Sequence, residues 1–270
     1  MCEFCTRHGE GRKWYDNIRN YTAELFHEVN SEANLRHFLA DFRGQLDSGV
    51  ARARRWQQRL PMIYRWLVAP WLTRRLQRIH FGQVLPMEDV ERILDRVSTI
   101  VRLPCVCRRV TVGGEHRCCF GIGLDLTHIF RDLPDFCAFE RLTVAEAKAA
   151  IRRLDAEGKV HSVWTFNTPF IGAICNCDRD CMAYRFEQTM GLGRAMWKAE
   201  YVAVIDPLAC NGCKACLSRC YFGAIVPAHR DGKCRIRMER CYGCGICRVV
   251  CPRNAITLPD RAGVAAVAND

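Results

Sequence analysis

Along the first hundred residues, aromatic and leucine positions recur at helical spacing between polar ones, which predicts a helical N-terminal region over 1–100. At its end Pro86-Met87-Glu88-Asp89 opens a further short helix, with Val90, Ile93, Leu94 and Val97 at i, i+3, i+4 and i+7 on one core-facing side. Between 101 and 200 the pattern turns mixed. β-branched runs such as Ser98 to Val101 and Val160 to Phe166 predict strands, and Thr143 with Glu146 forms a capping-box pattern ahead of Ala147 to Leu154. Gly158 stands where a helix would end, so this stretch reads as a helix followed by a strand. Gly191 and Gly193 loosen the chain before Tyr201, where a third pattern begins and runs to about residue 260, leaving 261–270 as a tail. The predicted class is α+β: a helical N-terminal region, an α/β middle domain over 101–200, and a small C-terminal domain.

Composition changes this picture chiefly through cysteine. The chain has 270 residues, 49% hydrophobic and 26% charged, with 19 cysteines and a formal charge of +11. That is enough chain for a sizeable core and roughly two domains, and neither disorder nor a collagen-like fibre fits. In a secreted chain so many cysteines would read as a disulfide framework. The opening Met1-Cys2-Glu3-Phe4-Cys5-Thr6-Arg7-His8 has no apolar h-region and no small-residue cleavage site, so the expectation is a reduced, cytoplasmic protein that spends its thiolates on metal. The most apolar run, Leu60 to Leu72, is broken by Pro61 and Pro70 and contains Arg65, too short and too charged to span a bilayer.

The C-terminal pattern is a repeat. Cys210, Cys213, Cys216 and Cys220 form C-x-x-C-x-x-C-x-x-x-C, and Cys241, Cys244, Cys247 and Cys251 form it again, followed by Pro252. The offset of 31 residues also pairs Gly212 with Gly243, Ala224 with Ala255 and Ile225 with Ile256. Three cysteines three positions apart can wrap three corners of one cubane, and the fourth cysteine of each run reaches the other cluster. The expected ligand sets are therefore Cys210, Cys213, Cys216 and Cys251 for one cluster, and Cys241, Cys244, Cys247 and Cys220 for its partner. Two zinc sites are the alternative, but zinc favours paired C-x-x-C units over four-cysteine runs. Cys234, between the runs, reads as a small core residue.

Residues of about 201–260 resemble a bacterial-type ferredoxin module with two [4Fe-4S] clusters. The resemblance implies a small pseudo-twofold fold of two hairpins and two short helices, serving one-electron transfer. Tyr221 departs from it, because proline usually follows the fourth cysteine, as Pro252 does in the second half.

Eleven cysteines remain, and ten precede this module: Cys2, Cys5, Cys105, Cys107, Cys118, Cys119, Cys137, Cys175, Cys177 and Cys181. Two C-x-C pairs, Cys105/Cys107 and Cys175/Cys177, with Cys181 nearby, suit a site closed by two distant loops. One further [4Fe-4S] cluster is expected there, drawing on Cys105, Cys107, Cys175, Cys177, Cys181 and Cys118, against the bland reading of a cysteine-rich core or a zinc site. Leu103 to Arg108 and Glu157 to Cys181 also resemble a cysteine-rich module of multi-cluster iron–sulfur proteins of anaerobes, which implies a cluster and no particular reaction. Cys2-x-x-Cys5-x-x-His8 is a candidate contributor to a second additional cluster. No phosphate loop, catalytic triad or dinucleotide fingerprint appears; Gly121-x-Gly123 lacks its third glycine and acidic partner.

Between Asp47 and Glu88 there is no acidic residue but eight arginines, Arg52, Arg54, Arg55, Arg59, Arg65, Arg74, Arg75 and Arg78, with Trp56, Trp66, Trp71 and Tyr64 among them. An acidic redox partner, an anionic membrane surface, nucleic acid, or a solvated face whose arginines lie over apolar core would each use such a stretch. The whole reads as an iron–sulfur electron carrier or oxidoreductase subunit, passing single electrons along a chain of [4Fe-4S] clusters between a redox partner and an oxidoreductase. One rival is a ferredoxin-fused reductase whose middle domain binds substrate beside Glu115, His116 and His128. The other is a regulator, with Leu142 to Phe166 as the helix and hairpin of a winged helix.

Overall fold

A computed structural model describes residues 13–228 and 232–267. Its helices are α1 (Ala23–Val29), α2 (Glu32–Ala40), α3 (42–59), α4 (61–79), α5 (Met87–Leu94), α6 (Val106–Thr111), α7 (Thr127–Phe130), α8 (Val144–Ala156), α9 (Met182–Tyr184), α10 (Ala215–Arg219) and α11 (Ile246–Val249). The strands are β1 (Gly82–Leu85), β2 (Ile100–Leu103), β3 (Cys119–Ile122), β4 (Glu140–Arg141), β5 (Val160–Thr165), β6 (Ile171–Cys177), β7 (Met196–Trp197), β8 (Val204–Ile205), β9 (Ile225–Pro227), β10 (Cys234–Ile236) and β11 (Ile256–Thr257). The α+β class, the helical N-terminal region and the C-terminal ferredoxin domain read from the chain are all present.

Local rules account for several boundaries. Ser31 and Thr22 cap α2 and α1 by accepting from Asn34 N and Leu25 N. At α8 the capping box forms as the sequence predicts: Glu146 N donates to Thr143 Oγ1 at 3.3 Å and Thr143 N to Glu146 Oε2 at 2.8 Å. Such a cap stabilises a helix by about 1 kcal/mol. The chain then turns at Gly158 into β5.

Seven strands form one sheet in the order β4-β2-β3-β6-β5-β1-β7, antiparallel throughout except for β1 with β7. Every residue of β1 and of β5 is buried, because both faces of the sheet are covered. On one face Phe120, Ile122, Val163 and Ile174 pack against Val90, Ile93 and Leu94 of α5 and Ala147, Ile151 and Leu154 of α8. On the other face two cores lie side by side. Val101 and Leu103 meet Phe26, Leu35 and Leu39 from α1 and α2, while Val160, Trp164 and Ala173 meet Met196, Phe222 and Ile246.

The C-terminal repeat is visible in the backbone itself. Left-handed positions recur 31 residues apart at Gly212 and Gly243, Lys214 and Gly245, and Gly223 and Asn254. Helix α10 corresponds to α11, and the hairpins β8·β11 and β9·β10 exchange under the same shift. At Gly243 a side chain has no room: with φ of +69°, a Cβ would lie 2.2 Å from the Tyr201 carbonyl oxygen. The turn at residue 261 closes this domain. The buried Arg261 guanidinium donates to the carbonyls of Ala199, Tyr201 and Cys241 at 3.1, 2.9 and 2.7 Å. Arg261→Met should lower stability by about 3 kcal/mol, since buried acceptors left unpaired cost ~1–3 kcal/mol each. Urea unfolding of the full chain checks this, with the loss expected in the transition that bleaches the C-terminal domain.

Candidate iron–sulfur centres

The two cysteine runs fold into loops that lead into α10 and α11, so that a left-handed residue, Lys214 or Gly245, precedes each helix. Cys210, Cys213 and Cys216 line a small cavity together with Cys251, the last cysteine of the other run, and with Cys234. Reciprocally, the neighbouring thiols of Cys244 and Cys247 include Cys241 and Cys220. Each run therefore has the other's fourth cysteine beside its first three. Amide N–H groups point at the sulfurs: Ala224 N donates to Cys220 Sγ at 3.2 Å and Ala255 N to Cys251 Sγ at 3.3 Å, again 31 residues apart. Cys241 Sγ accepts from Ala203 N and Gly243 N, both at 3.4 Å.

Burial pushes the Cys216 and Cys247 thiols up to about 12, and Cys244 well above the ordinary thiol range. Burial raises Cys241 as well, opposed by the two amides at its sulfur. Buried sulfurs with amide donors suit thiolates, whose protons metal binding releases to solvent. A cavity lined by four cysteines from the two runs, with amides directed at the sulfurs, fits a [4Fe-4S] cluster. Among the described residues no group of three or more His, Cys, Asp and Glu side chains is placed to hold a single metal ion.

The middle domain gathers a second group of thiols on the sheet. Antiparallel pairing sets Cys119 of β3 opposite Cys175 of β6, with their sulfurs 3.7 Å apart, and Cys177 follows two residues on along the same strand. Cys105, at the start of α6, lies beside Cys119 and Cys181, whose thiols hold its pKa down, and Cys181 in turn lies beside Cys177. Burial, and then the nearby Cys105, Cys175 and Cys177 thiols, hold the Cys107 thiol well above its usual range. Cys119 is absent from the contributors that the sequence marks. Its signal is a strand register, which the spacing of cysteines along the chain does not carry. Cys118 packs in the core with Phe120 and Ile174 yet lies near Cys105, Cys177 and Arg108, and burial lifts its thiol to about 11.

Arg108 is a buried cation beside this group. Its Nη2 pairs with Asp178 at 2.7 Å, while Nε has no hydrogen-bond partner among the described residues. Although burial works to lower its pKa, Asp178 and the neighbouring Cys181 and Cys118 raise it on balance. A fixed positive charge there would offset a site that collects several thiolates. Cys137 is exposed. Glu115 pairs with Arg117 at the surface and His128 with Glu32. Cys2, Cys5 and His8 lie outside the described residues.

The middle and C-terminal groups are joined by a packed seam. Tyr221, where the ferredoxin pattern has proline, presents its carbonyl to the Tyr184 hydroxyl at 2.7 Å and its ring to the Arg179 guanidinium at 5.2 Å. Phe222 stacks on Tyr242 with centroids 3.8 Å apart, and Tyr242 hydrogen-bonds Glu187. The departure at Tyr221 thus serves the interface.

Fold and cysteine geometry together mark a C-terminal ferredoxin-type domain whose cysteines suit [4Fe-4S] clusters, carried on a larger cysteine-rich α+β body. Residues 209–256 match the family model for the 4Fe-4S dicluster domain. The chain is similar to an uncharacterized ferredoxin of Methanocaldococcus jannaschii, 32% identical over 97 residues, which covers 32% of this chain and 52% of that protein. It is also similar to one of the subunits of an ion-translocating oxidoreductase complex of Methanosarcina acetivorans, 35% identical over 72 residues, covering 27% of this chain and 26% of that protein. The chain thus spans about half the length of the first relative and about a quarter of the second. These findings support electron transfer. Among the described residues no helix is long and apolar enough to cross a membrane.

Proposed function

We propose that this chain is an electron-transfer subunit carrying three [4Fe-4S] clusters, two in the C-terminal domain and one upstream, and that it serves an oxidoreductase complex on the cytoplasmic side. The observation that carries the reading is the seam between the two cysteine groups. Cys177 and Cys181 flank Arg179, and Arg179 and Tyr184 pack on Tyr221, the neighbour of Cys220. That contact supports relay over a short path.

The C-terminal clusters would be held by Cys210, Cys213, Cys216 and Cys251, and by Cys241, Cys244, Cys247 and Cys220. Four of Cys105, Cys107, Cys119, Cys175, Cys177 and Cys181 would hold the upstream one. When bound, each cluster supplies reversible one-electron uptake. The chain's own part is to bury the thiolates, keep water away, and direct the amides of Ala203, Gly243, Ala224 and Ala255 at sulfur. Such amides favour the more negative sulfur of the reduced state and so raise the potential. The similarity to part of an ion-translocating oxidoreductase complex supports a complex as partner.

An anaerobic, mediator-poised redox titration followed by EPR tests the proposal. Stepwise one-electron reduction of three centres is expected, with spin–spin broadening as neighbouring clusters become reduced together. Centres that cannot be reduced, or that show no mutual interaction, would overturn it.

A further inference from the structure

Seven of the eleven large apolar side chains that stand exposed among the described residues fall within 16 consecutive positions: Trp56, Leu60, Met62, Ile63, Trp66, Leu67 and Trp71. Scattered exposed apolar residues are ordinary, but a contiguous ridge of them on a monomer marks an interaction surface. The ridge has a defined construction. Leu60 breaks the helical run (φ −137°, ψ 64°) and Pro61 restarts it, so α3 and α4 meet at a kink whose apex is apolar. On α4, Met62, Ile63, Trp66 and Leu67 stand at i, i+1, i+4 and i+5 on one side, and Trp71 follows after the wider π turn of Tyr64–Val68.

The opposite side is bolted to the body. Gln57 Nε2 donates to Met190 O at 2.9 Å, the buried Tyr64 hydroxyl donates to Leu192 O at 2.7 Å, and Thr73 Oγ1 accepts from Arg194 N at 3.0 Å. The apolar side therefore cannot turn inward by a simple roll of the helices. Cations frame it: Arg65 lies over Trp66 and Arg75 over Trp71, with ring distances of 5.7 and 5.5 Å. No acidic residue occurs from 48 to 87.

We infer that this kinked ridge docks the protein on an anionic lipid surface. Tryptophan at the level of the headgroups, aliphatic side chains below them and arginines against the phosphates form the arrangement of an interfacial amphipathic helix. Charge complementarity selects the occupant. A segment with eight arginines and no carboxylate is matched by a surface of uniform negative charge, and a convex apolar apex enters a fluid interface without a preformed groove. The protein is thereby held against the membrane without spanning it.

The test is sedimentation of the full chain, purified without oxygen, with phosphatidylcholine vesicles that contain or lack phosphatidylserine. Binding to the serine-lipid vesicles is expected, weakening with salt, with a blue shift of tryptophan emission from the exposed rings. Each of Arg59→Gln and Arg65→Gln should weaken binding about fivefold, the effect of one basic residue near such a surface. The double variant Trp66→Glu/Leu67→Glu should abolish it, with iron content and cluster absorbance unchanged as proof of folding. No binding at low salt, or equal binding to both vesicle types, would overturn the inference. So would retention of binding by the double variant, self-association through the ridge without lipid binding, or salt-sensitive capture of an acidic protein that leaves the vesicles unbound.

Discussion

Cys251→Ala should empty the site of the first cysteine run and leave its own run's site filled. Cys251 lines the cavity of Cys210, Cys213 and Cys216, and the Ala255 amide donates to its sulfur there. Iron should fall by about four per chain, one cubane's worth. The EPR spectrum of what remains should overlay that of Cys213→Ala and differ from that of Cys244→Ala. Cys220→Ala should do the converse, matching Cys244→Ala. If each fourth cysteine instead matched its own run, the crossed arrangement would be wrong, and with it the reason for the 31-residue symmetry of the backbone.

The second large effect separates two adjacent cysteines. Cys119→Ala and Cys105→Ala should each lower or abolish the upstream iron, again by about four per chain, while the C-terminal signals persist. Cys118→Ala should leave that iron in place and cost about 1 kcal/mol for a small cavity in the core. The difference is one of strand face: Cys119 stands opposite Cys175 with its sulfur in contact, whereas Cys118 packs with Phe120 and Ile174. Equal loss of iron in all three variants would show that proximity to the cysteine-rich stretch, and not the register of β3 on β6, decides which thiols matter.

These two expectations differ in how far the chain alone discloses them. The runs at Cys210 and Cys241 announce a cluster-binding repeat by spacing, since the offset of 31 also aligns Gly212 with Gly243 and Ala224 with Ala255. The helix at Val144–Ala156 is equally legible, because Thr143, Glu146 and Gly158 are short-range signals. Long-range pairing is not. Strand β1, Gly82–Leu85, is buried on both faces and shows no alternation, so nothing in four residues separates it from the helical stretch around it. Cys119 enters the middle group only through its pairing with β6, and Tyr221 gains its role only once α9 lies against it.

The arginine-rich stretch is the opposite case. Its apolar residues have helical spacing, which a core-facing helix and a lipid-facing one share. Only the anchoring of Gln57, Tyr64 and Thr73 to the body shows which side Trp66 and Leu67 occupy. There Trp56, Trp66 and Trp71 are each more than half exposed, so they are not part of the core beneath.

The formal +11 counts every cysteine as neutral. Each oxidised cubane with four thiolates carries about −2, so the loaded chain is only moderately basic and its positive charge is concentrated on the Arg52–Arg78 ridge. The most direct test of the whole account is the iron and acid-labile sulfide content of the chain purified without oxygen. Three clusters predict about twelve of each per chain. About eight, with the C-terminal signals intact, would contradict the upstream cluster and the relay built on it.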